Sequence, residues 1–213
     1  VRGVQVWGSS LLAEEMAKES GCSPPKTAGK CSKITTRNVD YARMKMSSSY
    51  GNHRMGTGWA RGQLNSPLCW LARHHYWNSH AKTQWLQLDL GAVDTVAGVT
   101  TQGCGHPGYR GWYTKSYRVR VSDDGAKWRD VECGRVFEAG RTGGNTKHTE
   151  MFTVPVKARF VRVYPYKFHG TPAMRVGVVT CEHECKGQRL DYRLSKGFGS
   201  ETMGPALLTP WGE

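Results

Sequence analysis

The sequence predicts an all-β domain, a sandwich or barrel of short antiparallel strands. Three observations carry that expectation. From Cys22 onward helical periodicity nearly disappears. In its place come short alternating runs punctuated by Gly, Pro, Asn and Asp. Seven cysteines, at 22, 31, 69, 104, 133, 181 and 185, are dispersed along the chain rather than gathered as paired CxxC ligand sets. That distribution suits disulfides formed in an oxidising, secreted or cell-surface setting.

Taken in order, residues 10–20 are rich in helix formers, carry acids early and stop at Gly21, which predicts a short helix in an N-terminal flank, 1–21. The domain proper is expected over 22–185, with strands at Gln84–Leu90, Thr95–Thr101, Tyr117–Ser122, Met151–Val154, Arg159–Tyr164 and Met174–Thr180. Phase places Leu86, Leu88 and Leu90 on one buried face, with Tyr117, Val119 and Val121, and Val161 and Val163, on theirs. Arg118 and Arg120 point the other way. Asp123-Asp124-Gly125 reads as a hairpin turn, since Gly and Asp tolerate positive φ. Residues 186–213, with their glycines and prolines, read as an irregular tail, a linker or the start of a further domain.

The 213 residues are enough for one good core with extensions. Neither a membrane span nor a signal peptide is expected in this stretch, which has no long apolar run and no basic-then-apolar leader. Thirty Lys and Arg against seventeen Asp and Glu give a net charge of +13, which favours anionic partners. Nucleic acid is not expected among them, because the bases are scattered along strands with no helix-turn-helix, zinc-finger or basic-helix pattern. No Asn-x-Ser/Thr sequon occurs.

The ordered blocks Ser47–Tyr50 (SSSY), Gln84–Gly91 (QWLQLDLG), Val99–Gly103 (VTTQG), Ser116–Trp128 (SYRVRVSDDGAKW) and Ala158–Pro165 (ARFVRVYP), closed by Cys181, resemble the discoidin family, also called coagulation factor V/VIII C-type domains. The resemblance covers roughly residues 22–181. The blocks Pro67–Arg73, QWLQLDLG and Thr101–Cys104 are most similar to retinoschisin-type members. It implies a discoidin-like jelly-roll antiparallel β-sandwich with a binding surface of three loops at one end. On that fold Leu86, Leu88 and Leu90 pack between the sheets. Trp85, Gln87 and Asp89 lie on the opposite phase, where Asp89 accepts backbone or arginine hydrogen bonds, a structural role rather than a ligand contact.

Carried over block by block, the loops fall at Gly51–Gly62, Leu71–Thr83 and Gly103–Lys115. The first offers His53, Arg54, Met55, Trp59 and Arg61; the second Arg73, His74, His75, Tyr76 and Trp77; the third His106, Tyr109, Arg110, Trp112 and Lys115. An aromatic or Met at a loop tip can enter an interfacial or sugar-stacking environment while a neighbouring Arg or Lys meets a phosphate, sulfate or carboxylate. The ligand-binding set expected is Arg54, Met55, Trp59, Arg73, His75, Tyr76, Trp77, His106, Tyr109, Arg110, Trp112 and Lys115. Trp59 and Trp112 are read equally as binding or packing residues, whereas Tyr109 and Trp77 are expected exposed among glycines and polar neighbours. Members that insert into phospholipid show adjacent bulky apolar residues at these tips; here His and Tyr make them wetter, which favours glycan or protein over membrane.

Neither catalysis nor a metal is expected. His74 and His75 are adjacent, so they point apart on an extended segment, and no HExxH, His-x-His, Ser-His-Asp or GxSxG pattern occurs. No cofactor is expected; a structural calcium, found in some members, is not favoured because Asp40 is the one nearby acid. The family register implies a Cys69–Cys104 bridge, Cys181 paired with Cys22 in preference to Cys31, Cys185 with the remaining N-terminal cysteine or a second chain, and Cys133 as the odd thiol. Each bridge contributes about 2–4 kcal/mol, mainly by restricting the unfolded chain. Together these features predict a non-enzymatic extracellular recognition or adhesion module that holds an acidic or sulfated glycan or an anionic membrane surface at its loops. The alternative is an assembly module contacting another protein or another copy of itself.

Overall fold

A computed structural model describes residues 31, 33–73, 83–109, 111–140 and 144–182. The chain divides into two compact units, Val1–His183 and Glu184–Glu213, and the second lies wholly outside the described residues. The helix expected at 10–20 and the tail at 186–213 also lie outside them.

Among the described residues nine strands join one sheet: β1 (Lys33–Arg37), β2 (Met44–Met46), β3 (Trp70–Leu71), β4 (Leu86–Gln102), β5 (Tyr113–Ser122), β6 (Arg129–Asp130), β7 (Phe137–Glu138), β8 (His148–His169) and β9 (Ala173–Glu182). The path runs β1-β9-β4-β8-β5-β6, with β2 on β4, β3 on β9 and β7 on β5. All the strand pairings are antiparallel.

Two strands turn that sheet into a jelly-roll sandwich. The early part of β4 pairs with the late part of β8 (Leu86↔Val163, Leu88↔Val161), and its later part with the early part of β8 (Val99↔Glu150, Thr101↔His148) and with β9. The sequence predicts each as two separate strands; the structure fuses them because both ladders continue through a bend. In β4 the bend falls in the register shift between Asp89 and Asp94, where Gly91 has φ +89°, a conformation open to glycine and costly for other residues. In β8, Pro155 lies in the shift between Met151 and Val156, and Pro165 pairs with Tyr117 beside a second shift. Proline has no N–H to give a ladder, so bulges are where a sheet accepts it. At Gly98, a Cβ would sit 2.4 Å from the Glu150 carbonyl oxygen, so glycine permits that close strand approach.

The predicted phase holds. Leu86, Leu88, Leu90, Tyr117, Val119, Val121, Val161 and Val163 are buried in one cluster with Val96, Val99, Val176 and Val178 from the other layer. Burying each such side chain stabilises by about 1.5–3 kcal/mol. The Asp123-Asp124-Gly125 turn joins β5 to β6: Gly125 has φ +78°, and the Asp124 carboxylate accepts the N–H groups of Ala126 and Lys127 at 2.8 Å and the Ser122 hydroxyl at 2.9 Å. Asp89 accepts both Arg159 Nε (2.8 Å) and Nη2 (2.9 Å), together with the Gly91 N–H (2.8 Å).

The disulfide register needs correction. Cys69 pairs with Cys104, as expected, but Cys181 pairs with Cys31, not Cys22. The reason is β1: it runs antiparallel to β9 with Ile34 opposite Cys181, which brings Cys31 within 5.3 Å (Cα–Cα) of that cysteine. Cys31 is therefore not available to Cys185. Cys133 is itself disulfide-bonded rather than the odd thiol, and its partner lies outside the described residues.

Candidate functional site

The loop pole is built on a cystine floor. Cys69, just before β3, and Cys104, just after β4, are fully buried with Leu71 and Ala173, and Trp59, Tyr109 and Trp112 pack on this group from the first and third loops. Tyr109 is the centre: its ring lies 4.5 Å from Trp59, edge-on, and 4.7 Å from Trp112, tilted. His106 stands 5.3 Å from Tyr109 and 6.3 Å from Trp59. Four rings from two loops thus form one continuous array, each contact in the range of favourable aromatic pairs.

Local hydrogen bonds hold the rings in place. In the first loop Ser49 Oγ donates to the His53 carbonyl (2.8 Å), Thr57 N–H and Oγ1 to the Arg54 carbonyl (3.0 and 2.8 Å), and Ala60 N–H to the Thr57 carbonyl (2.9 Å). Leu71 N–H then donates to the Trp59 carbonyl (2.9 Å), tying that loop to β3. In the third loop the short turn Pro107–Tyr109 closes with Tyr109 N–H on the His106 carbonyl (3.0 Å) and Trp112 N–H on the Tyr109 carbonyl (2.9 Å). Gly170, at φ +68°, gives Trp112 its seat, because a Cβ there would lie 2.4 Å from the indole Cδ1.

Beneath the loops sits Arg175, a residue absent from the expected set. It is fully buried on β9, and its guanidinium donates from Nε to the Gly103 carbonyl (2.8 Å), from Nη1 to the Ser66 carbonyl (2.6 Å), and from Nη2 to the Gly144 carbonyl (2.7 Å) and Asn145 Oδ1 (3.0 Å). No carboxylate is among these partners. Burial lowers its pKa, yet a guanidinium stays protonated. One cation therefore pins three backbone segments that meet at this pole. Its signal in the sequence is a lone charge inside the apolar run Ala173–Val179, which demands buried acceptors.

Of the twelve expected ligand-binding residues, Arg54, Arg73 and His106 are exposed in the loops, and Lys115 is exposed on β5 rather than in the loop itself. Trp59, Tyr109 and Trp112 are half-buried in the ring array; Tyr109 is thus less open than expected. Met55 is half-buried and packs against the main core, not at a tip. His75, Tyr76, Trp77 and Arg110 lie outside the described residues. The three loop segments contain no Asp or Glu. The pole therefore carries half-buried ring faces, with Arg54, Arg73 and His106 exposed on the three loops. Among the described residues no group of three His, Cys, Asp or Glu side chains comes together.

Known proteins share this architecture. The chain is 31% identical over 187 residues to mouse (Mus musculus) lactadherin, covering 82% of this chain and 37% of lactadherin. It is 26% identical over 171 residues to bovine (Bos taurus) coagulation factor V, covering 76% of this chain and 7% of the other. It thus spans well under half the length of these relatives. Among solved structures, wild-type discoidin II from Dictyostelium discoideum aligns with TM-score 0.57 at 19% identity, over 76% of this chain and 61% of that one. An F5/8 type C domain from Bacteroides fragilis aligns with TM-score 0.53 at 14% identity, over 70% and 98%. The F5/8 type C domain model matches residues 44–178. That span begins at the first residue of β2 and ends within β9, so it takes in both layers of the sandwich, and the chain belongs to the F5/8 type C, or discoidin, domain family.

Proposed function

We propose that this domain is a non-enzymatic, extracellular recognition module that holds an acidic or sulfated glycan at its loop pole. The observation that carries the reading is the Trp59–Tyr109–Trp112 array with exposed Arg54 and His106 on the same two loops, exposed Arg73 on the second loop, and no acid in any of the three. Ring faces suit the apolar face of a sugar, and guanidinium groups suit sulfate or carboxylate. Extracellular placement rests on the cystines, which persist in oxidising compartments.

Glycan is preferred to a phospholipid surface because the described rings pack on the cystine floor and on one another. Insertion needs apolar side chains that project into the lipid boundary. The test is a glycan array run beside phosphatidylserine liposomes at low and high salt, with Arg54→Ala/Arg73→Ala as the loop variant. Glycan binding that weakens with salt and falls about tenfold in the variant supports the reading. Binding to liposomes alone, or glycan binding untouched by the variant, overturns it.

A further inference from the structure

A second surface of this molecule has the composition of an anion site and lies on the sheet rather than at the loops. The outward phase of β4, β8, β5 and β6 forms rows set by register. Arg118 lies opposite Tyr164, beside Trp85; in the next row Gln87, Arg162, Arg120 and Asp130 follow one another across four strands. Between them runs a groove of about 540 Å³ lined by Trp85, Arg118, Arg120, Asp130, Tyr164 and Tyr166, within the size range of small-ligand sites, roughly 300–1,000 Å³.

Charge is what marks it. Arg120 and Arg162 are directly opposite each other on adjacent strands, an arrangement that destabilises a sheet. The sheet tolerates it by stacking: the Arg162 guanidinium carbon lies 4.1 Å from the Trp85 ring and 3.9 Å from the Trp128 ring, while its Nε donates to Gln87 Oε1 at 2.9 Å. Asp130 is the one carboxylate among the described lining residues; its Oδ1 lies 3.2 Å from Arg120 Nε, and both side chains remain 40% or more exposed. Arg118 lies 4.6 Å over the Tyr166 ring, and among the described residues its buried Nε has no hydrogen-bond acceptor. Among the described residues Arg118 and Arg120 line the groove against the single carboxylate of Asp130, and Arg162 stacks beside them on Trp85 and Trp128, so the face is cationic.

We propose that this groove is a second binding site, for a sulfated or carboxylated oligosaccharide. A guanidinium pairs with the flat fork of a carboxylate or sulfate. Trp85, Tyr164 and Tyr166 supply ring surface of the kind on which sugar rings stack. A peptide strand fits less well, because the arginines and tyrosines lie on β5 and β8, interior strands whose ladders already use the backbone groups that strand addition needs. The site is distinct from the loop pole and does not depend on the reading proposed for it.

The test is an NMR titration of the full chain with a heparin-derived hexasaccharide, using the fully desulfated, N-acetylated hexasaccharide as control. The expected result is a shift of the Trp85 indole N–H with the sulfated probe alone, unchanged in Arg54→Ala/Arg73→Ala. Arg118→Gln/Arg120→Gln should weaken that interaction at least about tenfold, and Asp130→Asn, which removes the opposing charge, should tighten it about two- to fivefold. Should the double variant fail to fold, Asp130→Asn alone still decides the matter by its direction. A Trp85 resonance unmoved at saturating probe, shifts confined to Trp59 and Trp112, equal response to the desulfated control, or an affinity indifferent to Asp130→Asn would each overturn the proposal.

Discussion

Arg159 on β8 grips Asp89 on β4 with two parallel hydrogen bonds, Nε to Oδ1 at 2.8 Å and Nη2 to Oδ2 at 2.9 Å, next to the bend that carries both strands from one layer to the other. Asp89 also accepts the Gly91 N–H, so one carboxylate joins the strand pair to its turn. The pair is partly exposed, with side chains 41% and 21% accessible, which limits its Coulomb contribution. Asp89→Ala is expected to destabilise the domain by about 1–2 kcal/mol, chiefly through the lost bidentate and turn hydrogen bonds. Urea unfolding should show a lower midpoint with an unchanged slope.

Acid should find two weak points. The Arg159 hydrogen bond holds the Asp89 carboxyl below its ordinary value, and at Asp124 the N–H groups of Lys127 and Ala126 and the Ser122 hydroxyl lower it from 3.8 to about 2. Both folded-state values lie below the unfolded ones, so the stability they add is complete above about pH 4 and is lost as pH falls toward 2. Stability measured across that window should fall less steeply in Asp124→Asn than in the parent, although the variant starts lower at neutral pH. Parallel slopes would show that the turn carboxylate is not linked to folding.

Much of this architecture is legible in the residues themselves. Alternation over Tyr117–Ser122 and Leu86–Leu90 identifies the buried phase, because period-two patterning is a local property of a strand with one face in the core. Asp123-Asp124-Gly125 announces its turn for a similar local reason. What could not be read locally depends on register. The Cys31–Cys181 bridge follows from the pairing of β1 with β9, and the Arg118–Arg120–Arg162 face from bringing β5 and β8 side by side. The fusion of strand pairs into β4 and β8 escapes the sequence because Gly91 and Pro155 look like strand ends, whereas here they sit at register shifts. At the loop pole the aromatic and basic residue types are visible, but their half-burial on the Cys69–Cys104 floor is a tertiary fact.

Tyr117 offers a test in the stabilising direction. It is fully buried, burial pushes its phenol pKa up, and among the described residues its hydroxyl has no hydrogen-bond partner. A buried unsatisfied hydroxyl carries a desolvation cost without compensation. Tyr117→Phe keeps the ring contact with Phe137, at 5.8 Å between centroids. It should therefore leave stability unchanged or raise it by about 1 kcal/mol in thermal or urea unfolding. A clear loss would mean that the hydroxyl is satisfied by water.

Arg175 should behave as a positioning residue for the pole. Arg175→Met keeps a long apolar stem but leaves the Gly103, Ser66 and Gly144 carbonyls without their donor. The expected cost is about 3–5 kcal/mol, in the range for breaking a buried charged network. Arg175→Lys keeps the charge but not the fork, so it should recover part of that stability while leaving the loops less fixed. Amide exchange separates these effects: protection should fall in Ser66, Gly103 and their neighbours in Arg175→Lys while the β5–β8 ladder stays protected.

The ring array makes the last prediction, because stability and binding should separate within it. Trp112 packs on Tyr109 and over the Cα of Gly170, and it joins the cluster around Cys69 and Cys104. Removing it exposes that floor, so Trp112→Ala should cost about 2–3 kcal/mol as well as binding, less than a fully buried tryptophan because its own ring is partly open. Arg54 and Arg73 are exposed and replace no core contact. Their alanine variants should leave the unfolding midpoint nearly unchanged while weakening glycan binding, and the loss should shrink as salt rises because the parent itself binds less under screening. If Trp112→Ala left stability untouched, the packing role would fail. If the arginine variants lowered stability as much as the tryptophan variant, the pole would be a structural cap and not a recognition surface.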